Sequence, residues 1–301
     1  MPIPPDVFLS VGGKLFEMLP LPGAKERDEK TRAFYGELIG ALSDVLAPYR
    51  HIDSMSLEDS LIIARSVMRA INAIVYRYHC HSGDCGDLQI NSCYMLPTLR
   101  HEFTPSLIEA IQFVDRKRDL ASELRGVLRI RQWAEPVASL PSDLCLPLEH
   151  SENRALYRNL LFGAPRAFEK GRPQFVDDTL KPTRHRRALK RWVGDGPATP
   201  GRLFLQKELP ESIVNEIIGY FKQHQDHVRS FGSLALTIPR EDAEYFPAEY
   251  KDLPLAVLNI HSNQPRLFGK RAALARYLLP ALLPMLGVLA RYISRIRMLQ
   301  D

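Results

Sequence analysis

Ser233-Leu-Ala-Leu-Thr-Ile-Pro239 and Leu255-Ala-Val-Leu-Asn-Ile-His261 are two apolar runs of strand length separated by a polar loop. Small and β-branched residues alternate with bulkier ones in both, so each predicts a β-strand rather than a helix. Downstream, from Arg266 to Met298, the periodicity changes. Leu274, Leu278, Leu282, Leu286, Leu289 and Ile293 recur three or four residues apart and predict one long helix with an apolar face.

Working back toward the N-terminus, Ser56-Leu-Glu-Asp59 fits a capping box, with a serine accepting from an orphan amide and an acid three residues on reaching back. The helix it opens runs to about Tyr78 and would bury Leu57, Leu61, Ala64, Met68, Ile71 and Val75. Leu88 to Leu96 alternates as a strand, Pro105 to Glu123 reads as an inserted helix, and Gly126 to Trp133 is the next strand. On that strand Leu128 and Ile130 fall on one face and Val127, Arg129, Arg131 and Trp133 on the other. Asp143 to Leu148 adds a short strand. A helix from about Glu152 to Glu169 ends at Gly171, Gln174 to Val176 is strand, and Glu211 to about His227 is helix. Before all of this, residues 1 to 24 are rich in proline and glycine. A helix from Arg27 to Ala47 follows, carrying Phe34, Leu38, Leu42 and Val45 on one stripe and stopped by Pro48.

The ordered set resembles a known family. Gly163-Ala-Pro-Arg-Ala-Phe-Glu-Lys-Gly-Arg-Pro-Gln-Phe-Val-Asp-Asp178 looks like the helix, glycine turn and short strand of a GAF domain. The late segment AVLNIHSNQPRLFG and its closing helix look like that family's end. The resemblance implies an α+β fold, an antiparallel sheet flanked by helices, with an N-terminal helical arm. It divides the chain into an N-terminal extension and assembly helix, 1–55, and a GAF-like domain, 56–301, with a helical insertion near 97–124. It also implies a sensory or regulatory role and a pocket on one face of the sheet.

Composition sets wider bounds. The 301 residues are 45% hydrophobic, enough for a full core without covalent staples. Four cysteines (Cys80, Cys85, Cys93, Cys145) suggest no secreted disulfide framework, and with no leader pattern the expected location is cytoplasmic. The apolar run Tyr277 to Ala290 is short for a bilayer and carries two prolines, so a core helix is expected and no membrane partner. A net charge of +5 is mild, so nucleic acid is a possible but not a favoured partner. The charge is unevenly spread: Arg184-His-Arg-Arg-Ala-Leu-Lys-Arg-Trp192 gathers five cations in nine residues.

Two groups of residues could carry a site. Alternation puts Leu128, Ile130, Leu234, Leu236, Ile238, Ala256, Leu258 and Ile260 on one sheet face. Arg129, Arg131, Ser233, Thr237, Asn259 and His261 fall on the other, with Asn91 and Cys93 if the first strand shares the phase. That mixed face is either a ligand pocket or a solvated surface. The basic run would lie over it, with Arg184 and Arg187 clamping an anionic small molecule and Trp192 stacking on it, or it would simply face solvent or an acidic protein. The second group is His79-Cys-His-Ser-Gly-Asp-Cys85. Cys80 and Cys85 with His79 or His81 could supply three ligands, and Cys93 or Cys145 a fourth, to a tetrahedral zinc, although a helix end and a Gly-Asp turn explain the stretch without metal.

Phosphate loops, nucleophile elbows and metalloprotease motifs are not found. The patterns associated with GAF-like reductases and with cyclic-nucleotide-binding GAF domains are likewise not recognisable, and no cofactor follows. The expected function is a non-catalytic GAF-like sensory or regulatory subunit that binds a small, anionic ligand. It would self-associate, or dock a protein partner, through helices. The alternatives are a structural interaction subunit with an empty or self-filled pocket, and a cysteine-based redox or metal-dependent enzyme.

Overall fold

Residues 48–81, 85–114, 116, 119–141, 143–149, 163–180, 211–268 and 278–300 are described by the computed structural model of the chain. The expected arm at 27–47, the helix start at 152, the basic run with Arg184, Arg187 and Trp192, and the loop at 194–201 lie outside those residues.

Helix α1, Leu57–His81, begins at the predicted cap. The Asp59 amide donates to Ser56 Oγ at 3.1 Å, while the Asp59 carboxylate accepts from the same hydroxyl at 2.7 Å. The box therefore closes through the serine side chain and satisfies one orphan donor of the first turn. Strands β1 (Ile90–Leu99), β2 (Leu124–Trp133), β3 (Cys145–Glu149), β4 (Gln174–Val176), β5 (Ser230–Leu236) and β6 (Ala256–Ser262) form a six-stranded sheet in the order β3-β2-β1-β6-β5-β4. Every neighbouring pair is antiparallel, so with its helices the protein is of the α+β class. Pro97 lies inside β1, beyond the last residue paired with β6 (Met95↔Val257), where its missing N–H costs no ladder bond on that side.

One sheet face packs on α1 and on the closing helix α7, Leu279–Met298. Tyr94, Leu234, Leu236, Ala256, Leu258 and Ile260 from the strands meet Met68, Ile71 and Val75 of α1 and Leu282, Met285, Leu289 and Ile293 of α7 in one buried cluster. Each fully buried large apolar side chain contributes roughly 1.5–3 kcal/mol, which is why period two in the strands and period 3.6 in the helices converge on the same interface. α7 is long and apolar enough to cross a membrane by length and composition, yet ten of its residues are buried, most of them in this core. Residues 269–277 of the expected helix lie outside the described residues. Pro280 sits in the first turn, where a missing N–H is harmless, and Leu267 and Phe268 are buried in a turn upstream.

The opposite face is covered by α4 (Ala164–Lys170) and α5 (Glu211–Gln223). The insertion departs from a single helix. It makes two short helices, α2 (Pro105–Ala110) and α3 (Leu120–Glu123), around an extended piece in which Ile111 bridges Cys145 at the β3 edge. A lone long helix could not wrap a sheet edge. This hinged segment buries Leu107, Ile111, Val114 and Leu120 against Leu124, Val127 and Cys145, then carries Phe113 round to the other face. Its base is tight, since a Cβ on Gly126 would stand 2.6 Å from the Thr98 carbonyl oxygen.

Two polar clamps hold the β5–β6 connection onto α7. Arg291 pairs with Asp242 of the 3-10 turn Arg240–Tyr245 and reaches Asp53 at 3.1 Å. In the short helix α6 (Ala248–Lys251), Tyr250 donates its hydroxyl to Glu102 at 2.7 Å, and the Arg297 guanidinium lies 4.1 Å from its ring centre.

A cavity on the second sheet face

Period two places Ser233 of β5 and Asn259 and His261 of β6 on the face away from α1, as expected. Ser233 pairs with Asn259 and Phe231 with His261 across the ladder. The Ser233 hydroxyl donates to Asn259 Oδ1 at 2.6 Å, and Cys93 of β1 stands opposite Asn259. Together with Ile130, Trp133 and Phe231 these residues floor a cavity of about 90 Å³. Its roof is Gly163, Ala164 and Pro165 at the start of α4 with Tyr220 and Phe221 of α5. Phe113, Leu144, Leu146, Pro147 and Val228 close the sides.

Gly163 shows how closely roof and floor approach. It sits at φ +62°, and a Cβ there would come within 2.9 Å of the Phe231 ring. Both the backbone conformation and the contact call for glycine.

The expected cations are elsewhere. Arg129 and Arg131 are exposed, and neither lines the cavity. The reason is a bulge. Met95 pairs with Ile130 but the adjacent Tyr94 pairs with Gln132, so Arg131 is an extra residue and the phase of β2 reverses there. Ile130 and Trp133 consequently both face the cavity. Gln132 turns to the α1 side, where its Nε2 donates to the Leu61 carbonyl at 3.0 Å. Leu128 and Ile130 join Cys93, Met95 and Val257 on the cavity face, a correction to their expected place with Leu234 and Leu258. Thr237 lies beyond the end of β5 and is exposed.

The described lining is electrically quiet. None of the described lining residues is Lys, Arg, Asp or Glu. Burial pushes the Cys93 thiol up to about 12, and burial, helped by nearby His227, holds His261 down to about 3. Tyr220 is raised too, chiefly by burial. At neutral pH these groups are a thiol, an uncharged imidazole and a phenol. The His261 ring stands edge-on to Trp133 at 5.4 Å, and its Nε2 has no hydrogen-bond partner among the described residues. Sequence reasoning missed Phe113, Tyr220 and Phe221, which arrive from separate elements and share no motif.

The cysteine cluster takes another form. Cys80 and Cys85 are joined as a disulfide with Cα atoms 5.2 Å apart, a pairing the composition did not suggest, while Cys93 and Cys145 are free and buried. His79 Nδ1 lies 3.1 Å from the Leu267 carbonyl oxygen. Among the described residues no three His, Cys, Asp or Glu side chains converge as a metal site, and in the suggested set of Cys80, His81 and Cys85 the disulfide takes up both thiols, while the His81 side chain lies outside those residues.

No protein-family model, no curated protein and no solved structure matches the chain.

Proposed function

We propose that this chain is a non-catalytic, GAF-like sensory or regulatory subunit whose cavity binds a small molecule and whose output passes through a protein partner. The observation that carries the reading is the cavity itself, where Ser233, Asn259 and His261 converge from two strands beneath a roof of two helices. Apolar walls with a few convergent polar groups are the usual composition of a ligand site. The antiparallel sheet between helices supports the GAF-like assignment, and the order of the late strand, turn and closing helix supports it further. A non-catalytic role is favoured because burial keeps Cys93 and His261 uncharged, which deprives them of nucleophile and base strength near neutral pH. The anionic ligand expected from the sequence loses Arg129 and Arg131 as partners. A cytoplasmic location belongs to the same proposal.

The test is a thermal-shift screen of the purified protein against nucleotides, cyclic nucleotides, small acids and neutral aromatic molecules. At least one should raise the unfolding temperature and lose that effect when Ser233 or Asn259 is changed to Ala. If no compound does so, and a crystal structure shows the cavity filled by the protein's own side chains, the structural-subunit reading takes its place.

A further inference from the structure

On the reading that the cavity takes a ligand, its own chemistry narrows the class of molecule. Charge is the first filter. An anion entering a site with no lining cation among the described residues would give up its hydration with only the neutral groups of Ser233, Asn259 and His261 to replace it. Size is the second. At about 90 Å³ the space is smaller than the roughly 150 Å³ dry cavity that accepts benzene in an engineered protein, so a single ring with some yielding of the walls is its scale. Shape is the third. Phe113, Trp133, Tyr220 and Phe231 present rings around the space, Phe113 edge-on to Tyr220 at 5.6 Å and His261 edge-on to Trp133. Such walls match another flat ring.

The remaining observation is an unmet demand. His261 is 5% exposed and lines the cavity, and its Nε2 is buried without a hydrogen bond among the described residues, so the yielding of the walls that admits a ring must also uncover that nitrogen. A buried polar atom in that state is costly, and a ligand that pairs with it recovers the loss. We propose that the cavity takes a neutral single-ring aromatic molecule carrying one hydroxyl or N–H group, its ring among Phe113, Trp133, Tyr220 and Phe231 and its polar group on His261. The depressed pKa of His261 agrees with this, because an uncharged imidazole both accepts and donates, one nitrogen each.

Phenol, toluene and benzoate test the proposal on the full-length protein, since they share one ring and differ in the polar group. The readout is the indole N–H signal of Trp133 by NMR, one of two tryptophans in the chain, assigned with Trp133→Phe. Phenol should shift that signal and bind roughly ten-fold more tightly than toluene, while benzoate leaves it unmoved. In His261→Phe the ring is kept and both nitrogens are lost. There the phenol-to-toluene ratio should fall to about one while toluene still binds, which also reports a folded cavity. Equal affinity for phenol and toluene in the unaltered protein overturns the proposal, whether or not the variant folds. So does a ratio that survives in His261→Phe. Benzoate binding at Trp133 as tightly as phenol sinks the neutral class and leaves the ligand-binding reading standing. If neither these three nor the nucleotides and acids of the wider screen move Trp133, both fall together.

Discussion

His261 is a histidine on the buried face of a central strand, and its environment makes folding sensitive to acid. Burial, with His227 nearby, lowers its pKa to about 3 from the ordinary 6.5. The unfolded chain therefore takes up the proton first as pH falls. The contribution is fully present above about pH 6.5, is lost as pH drops through the interval down to about 3, and changes no further below that. At about pH 5 the loss should be on the order of 2 kcal/mol. Urea unfolding of the native protein and of His261→Phe at about pH 7.5 and about pH 5 checks this, because carboxylates and His224 act equally on both. The native protein should lose more stability than the variant on acidification. Parallel losses would show that His261 is not the responsible group.

At the scale of elements, the clamp between α7 and the β5–β6 connection is a buried ion pair with unequal partners. The Asp242 side chain is 1% exposed and that of Arg291 14%, and burial raises the Asp242 pKa against the pull of the guanidinium. Removing the cation leaves a carboxylate stranded in the core. Arg291→Ala should cost about 3–5 kcal/mol, and adding Asp242→Ala should return a good part of it, since replacing both partners is far less damaging than orphaning one. Denaturant unfolding of the two single variants and the double variant measures the coupling. A double variant that loses the sum of the single losses would mean that the pair is not coupled. The insertion teaches a related lesson about elements. Residues 105–123 have enough helix formers for one helix, yet the sheet edge must be wrapped, and burying Ile111 and Val114 there outweighs the propensity for a continuous helix.

For the whole molecule, the proposal of assembly through helices rests on surfaces left uncovered. Ile62 on α1 is 55% exposed and Leu283 on α7 is 63% exposed, on the outer sides of the two helices that back the sheet. The sequence adds the stripe Phe34, Leu38, Leu42 and Val45 upstream. Light scattering should give the full-length protein a mass above the monomer, and a form lacking residues 1 to 50 should be smaller than that assembly, unit for unit. A monomer in both forms, with no partner recovered from cells, would end the proposal.

Much of this architecture is local and so was legible in the sequence. The capping box at Ser56 closes within one helical turn, Gly171 ends α4 in the left-handed conformation at φ +57°, and the alternation through β5 and β6 put Ser233, Asn259 and His261 on one face. Other features depend on what each strand meets. The β2 pattern could not reveal that Arg131 would be squeezed out, because a bulge is a property of the pairing with β1 and not of either strand alone. That one residue moved Arg129 and Arg131 off the expected site and brought Leu128 and Ile130 onto it, while Trp133 kept its expected face. The aromatic walls are of the same kind. Phe113 lies far along the chain from Tyr220 and Phe231, which sit on a helix and a strand, and their meeting follows from burial between elements that leaves no periodic trace in any one segment. The sequence by itself determined the strands, the two helices that back the sheet and the polar triad on β5 and β6. Only the tertiary structure decided that the triad would have rings beside it where Arg129 and Arg131 were expected, because register and packing are settled between elements, where local periodicity has no say.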